Sequence, residues 1–226
     1  MDVGAGLVGL LLGLLVGPIA DRVATNAPVL RPPGDDPEAP PERRPLLGAT
    51  PRSSLFVLVT LATAVLGAAC GLAFGLTATA LISAVFCWIL VVVTRTDLEH
   101  KLIPNRIVLP GTVLILVART LDDPSVEWVI AAVAAGAALL VIAFIYPAGL
   151  GMGDVKLAAY LGAGLGAAVV VGIFIGFLAA FVPAVVLLVR HGRAARKAAI
   201  PLGPFLALGA VVALFAGDDV FDWYLG

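Results

Sequence analysis

Long apolar runs separated by short polar segments predict eight membrane-embedded helices in this chain. The runs lie at 3–19, 55–76, 78–93, 107–118, 126–146, 155–165, 167–189 and 200–216. A helix needs about 20 residues to cross the hydrocarbon core. Because the runs at 107–118 and 155–165 are shorter, we expect some segments to be short or re-entrant. The first run lacks a basic leading region, which favours a retained helix over a signal peptide.

Composition supports a membrane protein. The 226 residues are 61% hydrophobic and 13% charged, whereas soluble proteins are about 25% charged. The predicted fold is therefore an all-α polytopic transmembrane bundle. We expect one membrane-embedded domain over 1–226, with a proline-rich cytoplasmic loop at 27–54. The two cysteines lie inside apolar runs, where small apolar fillers are common, so we predict no metal site.

The distribution of charge predicts orientation and excludes one class of partner. In the eight-segment arrangement, 13 of the 14 Lys and Arg residues fall on one side and only Arg119 on the other. Basic loops face the cytoplasm, so both termini are predicted to lie outside. A net charge of −1 without a clustered basic surface argues against a nucleic-acid partner. The partner that surrounds the chain is instead the lipid bilayer.

Two aspartates lie at the predicted cytoplasmic boundary, each at the end of an apolar run. Asp97 follows one run, and Asp154 stands in the glycine-lined break 151–157. Two carboxylates at one depth can share a proton and activate water against a peptide carbonyl, as in aspartic proteases, without a metal or a cofactor. Asp154 is predicted at a helix start, which favours negative charge, and Asp97 near a helix end. We therefore expect Asp97 to hold the shared proton more often.

Glycines are predicted to shape this site and the helix crossings. Gly151 and Gly153 allow positive backbone torsions and close approach of an extended substrate. Such access matters because a peptide must be unwound in lipid before it is cleaved. Glycines also recur four residues apart elsewhere, as at Gly13 and Gly17, where helices can cross closely.

Three segments of the chain resemble motifs of the type IV prepilin leader peptidase family, which belongs to the GxGD class of membrane aspartic proteases. Residues 151–157 read Gly-Met-Gly-Asp-Val-Lys-Leu, residues 97–105 run from an aspartate to Ile-Pro-Asn, and residues 200–207 resemble the late Ile-Pro-Phe-Gly-Pro-Phe-Leu-Ala element. The resemblance implies that Asp97 and Asp154 are catalytic. It also implies an inner-membrane enzyme that removes the basic leader of type IV prepilins or pseudopilins at the cytoplasmic face, just before their hydrophobic helix.

Further residues of these motifs are predicted to bind substrate or to shape the site. Lys101 and Lys156 suit an acidic part of the substrate or tuning of the aspartates, although the orientation rule alone explains cytoplasmic lysines, and we favour that explanation. Proline at a helix start costs little, which suits Pro104. The full set is Gly151, Gly153, Lys156, Lys101, Pro104, Asn105, Gly203 and Pro204.

The front of the chain departs from the family pattern and leaves alternatives open. Asp21 stands where relatives carry asparagine, and the loop at 27–54 contains no cysteine, so the paired zinc-binding CxxC element is missing. Relatives with a complete front also methylate the new amino terminus with S-adenosylmethionine. One alternative is therefore a bifunctional peptidase and methyltransferase. Another is a transporter or scaffold that uses the aspartates as an ion pathway.

Overall fold

Eight α-helices and one short 3-10 turn are present in the part of the chain that the computed structural model describes, residues 2–27, 46, 55–147, 149–191 and 201–225. No strand occurs in these ranges, so the predicted all-α bundle is confirmed. The predicted loop at 27–54 lies outside the described residues, except for Ala27 and Leu46. The helices are α1 (Val3–Asn26), α2 (Phe56–Phe74), α3 (Ala78–His100), α4 (Asn105–Asp122), α5 (Glu127–Ile145), α6 (Met152–Leu165), α7 (Val169–His191) and α8 (Gly203–Leu225).

In the described part of the chain, the number of stretches long and apolar enough for a full membrane crossing is lower than the eight predicted segments. Five described stretches are long and apolar enough to cross a bilayer: Val3–Asn26, Phe56–Phe74, Ala78–His100, Glu127–Ile145 and Met152–Arg190, the last of which contains α6, the 3-10 turn and α7. Alone, α6 has 14 residues, which is about 21 Å at 1.5 Å per residue and less than a 30 Å hydrocarbon core. The expectation of short segments therefore applies to α6. The chain is a multi-pass membrane protein.

Glycines bring α1 and α2 into close contact. A side chain at Gly9 would collide with the carbonyl of Gly67, and one at Gly13 would collide with the backbone at Thr63. The Thr63 hydroxyl in turn donates a hydrogen bond of 2.9 Å to the Gly13 carbonyl across this contact. In contrast, Gly166 has a positive φ of 58° and begins the turn after α6, so its role is local conformation.

The helices that carry the two aspartates are the core of the bundle. Phe86 on α3 and Tyr160 on α6 are fully buried and stack with ring centroids 5.0 Å apart. The Tyr160 hydroxyl also donates a hydrogen bond of 2.9 Å to the Phe86 carbonyl. From this contact, Asp97 lies towards the C-terminal end of α3 and Asp154 towards the N-terminal end of α6. The contact between Phe86 and Tyr160 therefore joins the two helices that carry the aspartates.

Polar residues extend α1 and α3 beyond their predicted apolar runs, to residues 26 and 100 instead of 19 and 93. Arg95 on α3 joins these extensions. Its guanidinium donates to the Asp21 carbonyl at 3.1 Å and to the Thr25 hydroxyl at 3.0 Å. It also pairs with the carboxylates of Asp21 at 3.4 Å and Glu99 at 3.3 Å. A buried ion pair thus fixes the end of α1 against α3, two residues before Asp97.

Candidate active site

Asp97 lies in the last turn of α3 and is 5% exposed. Its Oδ2 accepts a hydrogen bond of 2.9 Å from the backbone N–H of Gly203, the first residue of α8. A Cβ at position 203 would lie only 2.8 Å from that oxygen, so a larger residue would displace the carboxylate or the helix start. The predicted site-shaping role of Gly203 therefore has a specific geometric basis: it lets α8 begin against Asp97.

Asp154 is the third residue of α6 and is partly exposed. Its Oδ2 accepts a hydrogen bond of 3.1 Å from the N–H of Gly151, the residue before the helix. An acidic residue at this third position satisfies a donor that the helix itself leaves unpaired. The sequence located Asp154 at a helix start, which the structure matches.

The two carboxylates have more similar surroundings than the sequence predicted. We expected Asp97 to hold the shared proton because Asp154 was placed at a helix start and Asp97 at a helix end. In the structure Asp97 does lie near the end of α3, yet its carboxylate also accepts from the N-terminus of α8. Since each carboxylate has a backbone donor at a helix start, the preference for Asp97 stays a prediction.

Asp97 and Asp154 line one cavity of about 970 Å³, which we call the carboxylate cavity. It receives residues from the ends of α3 and α5, the start of α6, the middle of α7 and the segment before α8. Five other predicted site residues also line it, namely Lys101, Asn105, Gly151, Gly153 and Lys156. The carboxylates therefore face a shared space large enough for a peptide segment.

The remaining predicted residues lie next to the carboxylate cavity without lining it. Pro104 is buried and precedes α4, where its carbonyl accepts from the N–H of Ile107 at 3.0 Å. Pro204 is the second residue of α8 and is half-buried. Proline is well suited to such helix starts because its missing N–H would have no helical partner there.

The prediction that the motif glycines would use positive backbone torsions is wrong. Gly151 has an extended backbone with φ −82°, and Gly153 lies inside α6; neither has a positive φ. What Gly153 provides is space, because a Cβ there would lie 3.0 Å from the Cβ of Ile103. The left-handed residue near the site is Lys101, with φ 52°, whose N–H donates to the Asp97 carbonyl at 2.8 Å and ends α3.

Lys156 and Asn105 connect α6 to α4 at the cavity. The Lys156 ammonium donates a hydrogen bond of 2.9 Å to the side-chain oxygen of Asn105. The sequence suggested Lys156 as a group that binds substrate or tunes the aspartates, and the structure gives it a protein partner as well. This contact joins the N-terminal ends of α6 and α4 at the cavity wall.

Sequence reasoning missed the apolar part of the cavity wall. The cavity is lined by Ile142 on α5, Tyr146 just after α5, Phe177 and Ala180 on α7, and Leu202 before α8. These residues are ordinary members of apolar runs, and only the packing of α5, α7 and α8 brings them together. One signal was available: Tyr146 and Pro147 end an apolar run directly before the glycine motif.

A polytopic helix bundle with two carboxylates in one cavity defines the class: a membrane protein equipped for aspartic hydrolase chemistry. Residues 84–189 match the type IV leader peptidase family. The chain is 31% identical over 176 residues to a prepilin leader peptidase/N-methyltransferase of Bacillus subtilis, covering 76% of this chain and 71% of that protein. The chain therefore belongs to the type IV leader peptidase family, as the resemblance predicted.

Two further relatives carry the same name. Identity is 31% over 185 residues with the protein of Legionella pneumophila and 32% over 177 residues with that of Pseudomonas aeruginosa. The matches cover 78% and 75% of this chain, and 64% and 61% of those proteins. The chain thus spans less than two thirds of the length of these two relatives. No solved structure matches the chain.

Proposed function

We propose that this chain is a membrane aspartic endopeptidase that removes the basic leader of type IV prepilin or pseudopilin precursors. The observation that carries the proposal is the shared cavity of Asp97 and Asp154, in a chain whose relatives are named prepilin leader peptidases. We place the enzyme in the inner membrane, with the cavity facing the cytoplasm and both termini outside. The 13-to-1 split of Lys and Arg, which is obtained when all eight segments are counted as crossings, supports this orientation.

In the proposed mechanism, the two carboxylates share one proton. The charged carboxylate removes a proton from water, whose oxygen attacks the carbonyl carbon of the scissile peptide bond. The neutral carboxyl donates its proton to the carbonyl oxygen. When the tetrahedral intermediate collapses, the carboxyl that took the water proton gives it to the leaving amine, and the other carboxylate takes a proton back from a hydroxyl of the intermediate. Because backbone donors hold Oδ2 of Asp97 and of Asp154, we assign the water and the substrate to the other oxygen of each.

The test is cleavage of a full-length pilin-like precursor by the purified protein, followed by mass spectrometry. Because each carboxylate acts as an acid or a base, we expect Asp97→Asn and Asp154→Asn to reduce the rate by about a hundredfold to ten-thousandfold. Asp123→Asn is the matched control, since Asp123 is exposed just beyond the far end of α4. Full activity in either cavity variant would contradict the proposed mechanism.

The same spectra decide between the alternatives. A gain of one methyl group on the new amino terminus would establish the bifunctional enzyme. S-adenosylmethionine is polar and charged, and a second described cavity, lined by apolar residues apart from Glu127, does not suit it. Intact precursor with folded protein, repeated over several precursors, would favour the transporter or scaffold.

A further inference from the structure

An apolar groove of about 600 Å³ lies between α5 and α7. It exists because α5 packs mainly on α6 and α7 mainly on α8, so that α5 and α7 scarcely touch each other. Buried Ala131, Ala135 and Leu139 form its floor, and exposed Ile130 and Phe174 form its rim. We call this feature the α5–α7 groove.

The α5–α7 groove is continuous with the carboxylate cavity. Ile142 on α5 and Phe177 on α7 line both spaces. From this junction the apolar lining of the groove extends along α5 to Ile130, a length of about 18 Å at 1.5 Å per residue, and Glu127 lies at its far end. The groove therefore follows about a dozen helical residues away from the two aspartates.

A substrate of the proposed activity has two parts with opposite requirements. The scissile bond and its polar leader must be extended in the carboxylate cavity, while the apolar helix that begins just after this bond must remain out of water. A chain that occupies the cavity needs an apolar exit that starts there. The α5–α7 groove provides one, with its entrance at Ile142 and Phe177.

We propose that the α5–α7 groove binds the apolar helix of the precursor while its leader segment lies in the carboxylate cavity. This inference rests on the proposed function and adds the enzyme surface that selects a substrate with a membrane helix. Binding over this length would orient the scissile bond by the rotation and depth of the helix. The enzyme would then position the bond largely from the part of the substrate that is not cleaved.

A pair of neighbouring alanines provides the test. Ala138 is exposed and lines the groove, whereas Ala137 is exposed but outside its lining. Each is replaced by tryptophan, and cleavage is measured on the full-length precursor and on a soluble peptide that ends shortly after the scissile bond. Because the indole fills the groove, we expect Ala138→Trp to raise KM for the precursor by about tenfold or more. Peptide cleavage should be unchanged, and Ala137→Trp should match the wild type on both substrates.

Equal kinetics of Ala138→Trp and Ala137→Trp on the precursor would overturn the proposal, as would an equal loss on precursor and peptide by Ala138→Trp. If the wild type cleaves neither substrate, it is the proposed function that fails.

A second measurement covers a wild type that cleaves the precursor alone. A photo-crosslinking amino acid is placed at position 134 in the groove or at position 137 outside it, in the Asp97→Asn background. A crosslink from 134 to the apolar segment of the precursor supports the proposal; capture of lipid only, or equal yields from both positions, refutes it.

Discussion

Arg95 holds two carboxylates whose burial differs, which makes the α1–α3 connection a quantitative test of the structure. The side chains of Arg95 and Asp21 are 3% and 4% exposed, whereas that of Glu99 is 28% exposed. Alanine at position 21 removes the buried partner, and alanine at position 99 removes the exposed one. The two changes are equivalent in formal charge and affect the same guanidinium.

The expected magnitudes follow from burial. Removing one partner of a buried ion pair costs about 3–5 kcal/mol, because the other charge is left in a medium that solvates it poorly. Arg95 would retain Glu99, the Thr25 hydroxyl and the main-chain carbonyl of residue 21. We therefore expect Asp21→Ala to lower the free energy of unfolding by about 2–3 kcal/mol, below that range. Removing the more exposed Glu99 should cost about 1 kcal/mol or less.

Thermal unfolding in detergent measures the difference. A change of 1 kcal/mol shifts Tm by about 2–4 °C in a chain of this size, so Asp21→Ala should lower Tm by about 4–12 °C and Glu99→Ala by a few degrees at most. Adding Arg95→Met to Asp21→Ala should recover much of the loss, because it removes a buried guanidinium whose remaining carboxylate, that of Glu99, is partly exposed. Equal shifts for the two single variants, or a double variant less stable than Asp21→Ala, would refute the reasoning.

Two further predictions concern the cavity itself. Gly203→Ala should reduce the cleavage rate by about tenfold or more, because its Cβ would lie 2.8 Å from Asp97 Oδ2 and a small misplacement of a catalytic group is costly. Gly151→Ala is the comparison: its Cβ would lie 3.3 Å from Asp154 Oδ2, so its cleavage rate should stay within a few-fold of wild type. Equal losses in the two variants would count against this geometry. Lys156→Gln and Asn105→Ala should each lower the free energy of unfolding by about 1 kcal/mol or less, because each loses the 2.9 Å hydrogen bond between these side chains. Fully additive effects in the double variant would show that this hydrogen bond contributes nothing to stability.

The sequence predicted the helices well where hydrophobicity determines them and poorly where a distant partner does. All eight apolar runs correspond to helices. The continuation of α1 past residue 19 depends on Asp21 meeting Arg95, which is 74 positions away in the chain. No local pattern reveals such a pair. Polar residues after an apolar run therefore resembled the start of a loop.

The site shows the same division. The motif located both aspartates and most of the polar cavity wall, because those residues are close in sequence to Asp97 or Asp154. The torsion expected at Gly151 and Gly153 belongs to Lys101 instead. Sequence composition favours glycine for left-handed backbone, but the end of α3 imposes this conformation on a lysine. The apolar wall from α5 and α7 depends on tertiary packing alone.

The hydrogen bond between Gly203 and Asp97 makes one carboxylate part of the bundle's framework as well as part of its cavity. It joins the last turn of α3 to the first residue of α8 across 106 positions of the chain. A proton that Asp97 takes up on its other oxygen removes the negative charge of the carboxylate and therefore weakens the hydrogen bond that anchors α8. The beginning of α8 is thus a mechanical reporter of the state of Asp97, and a fluorescent or spin probe placed there would follow each turnover from outside the cavity.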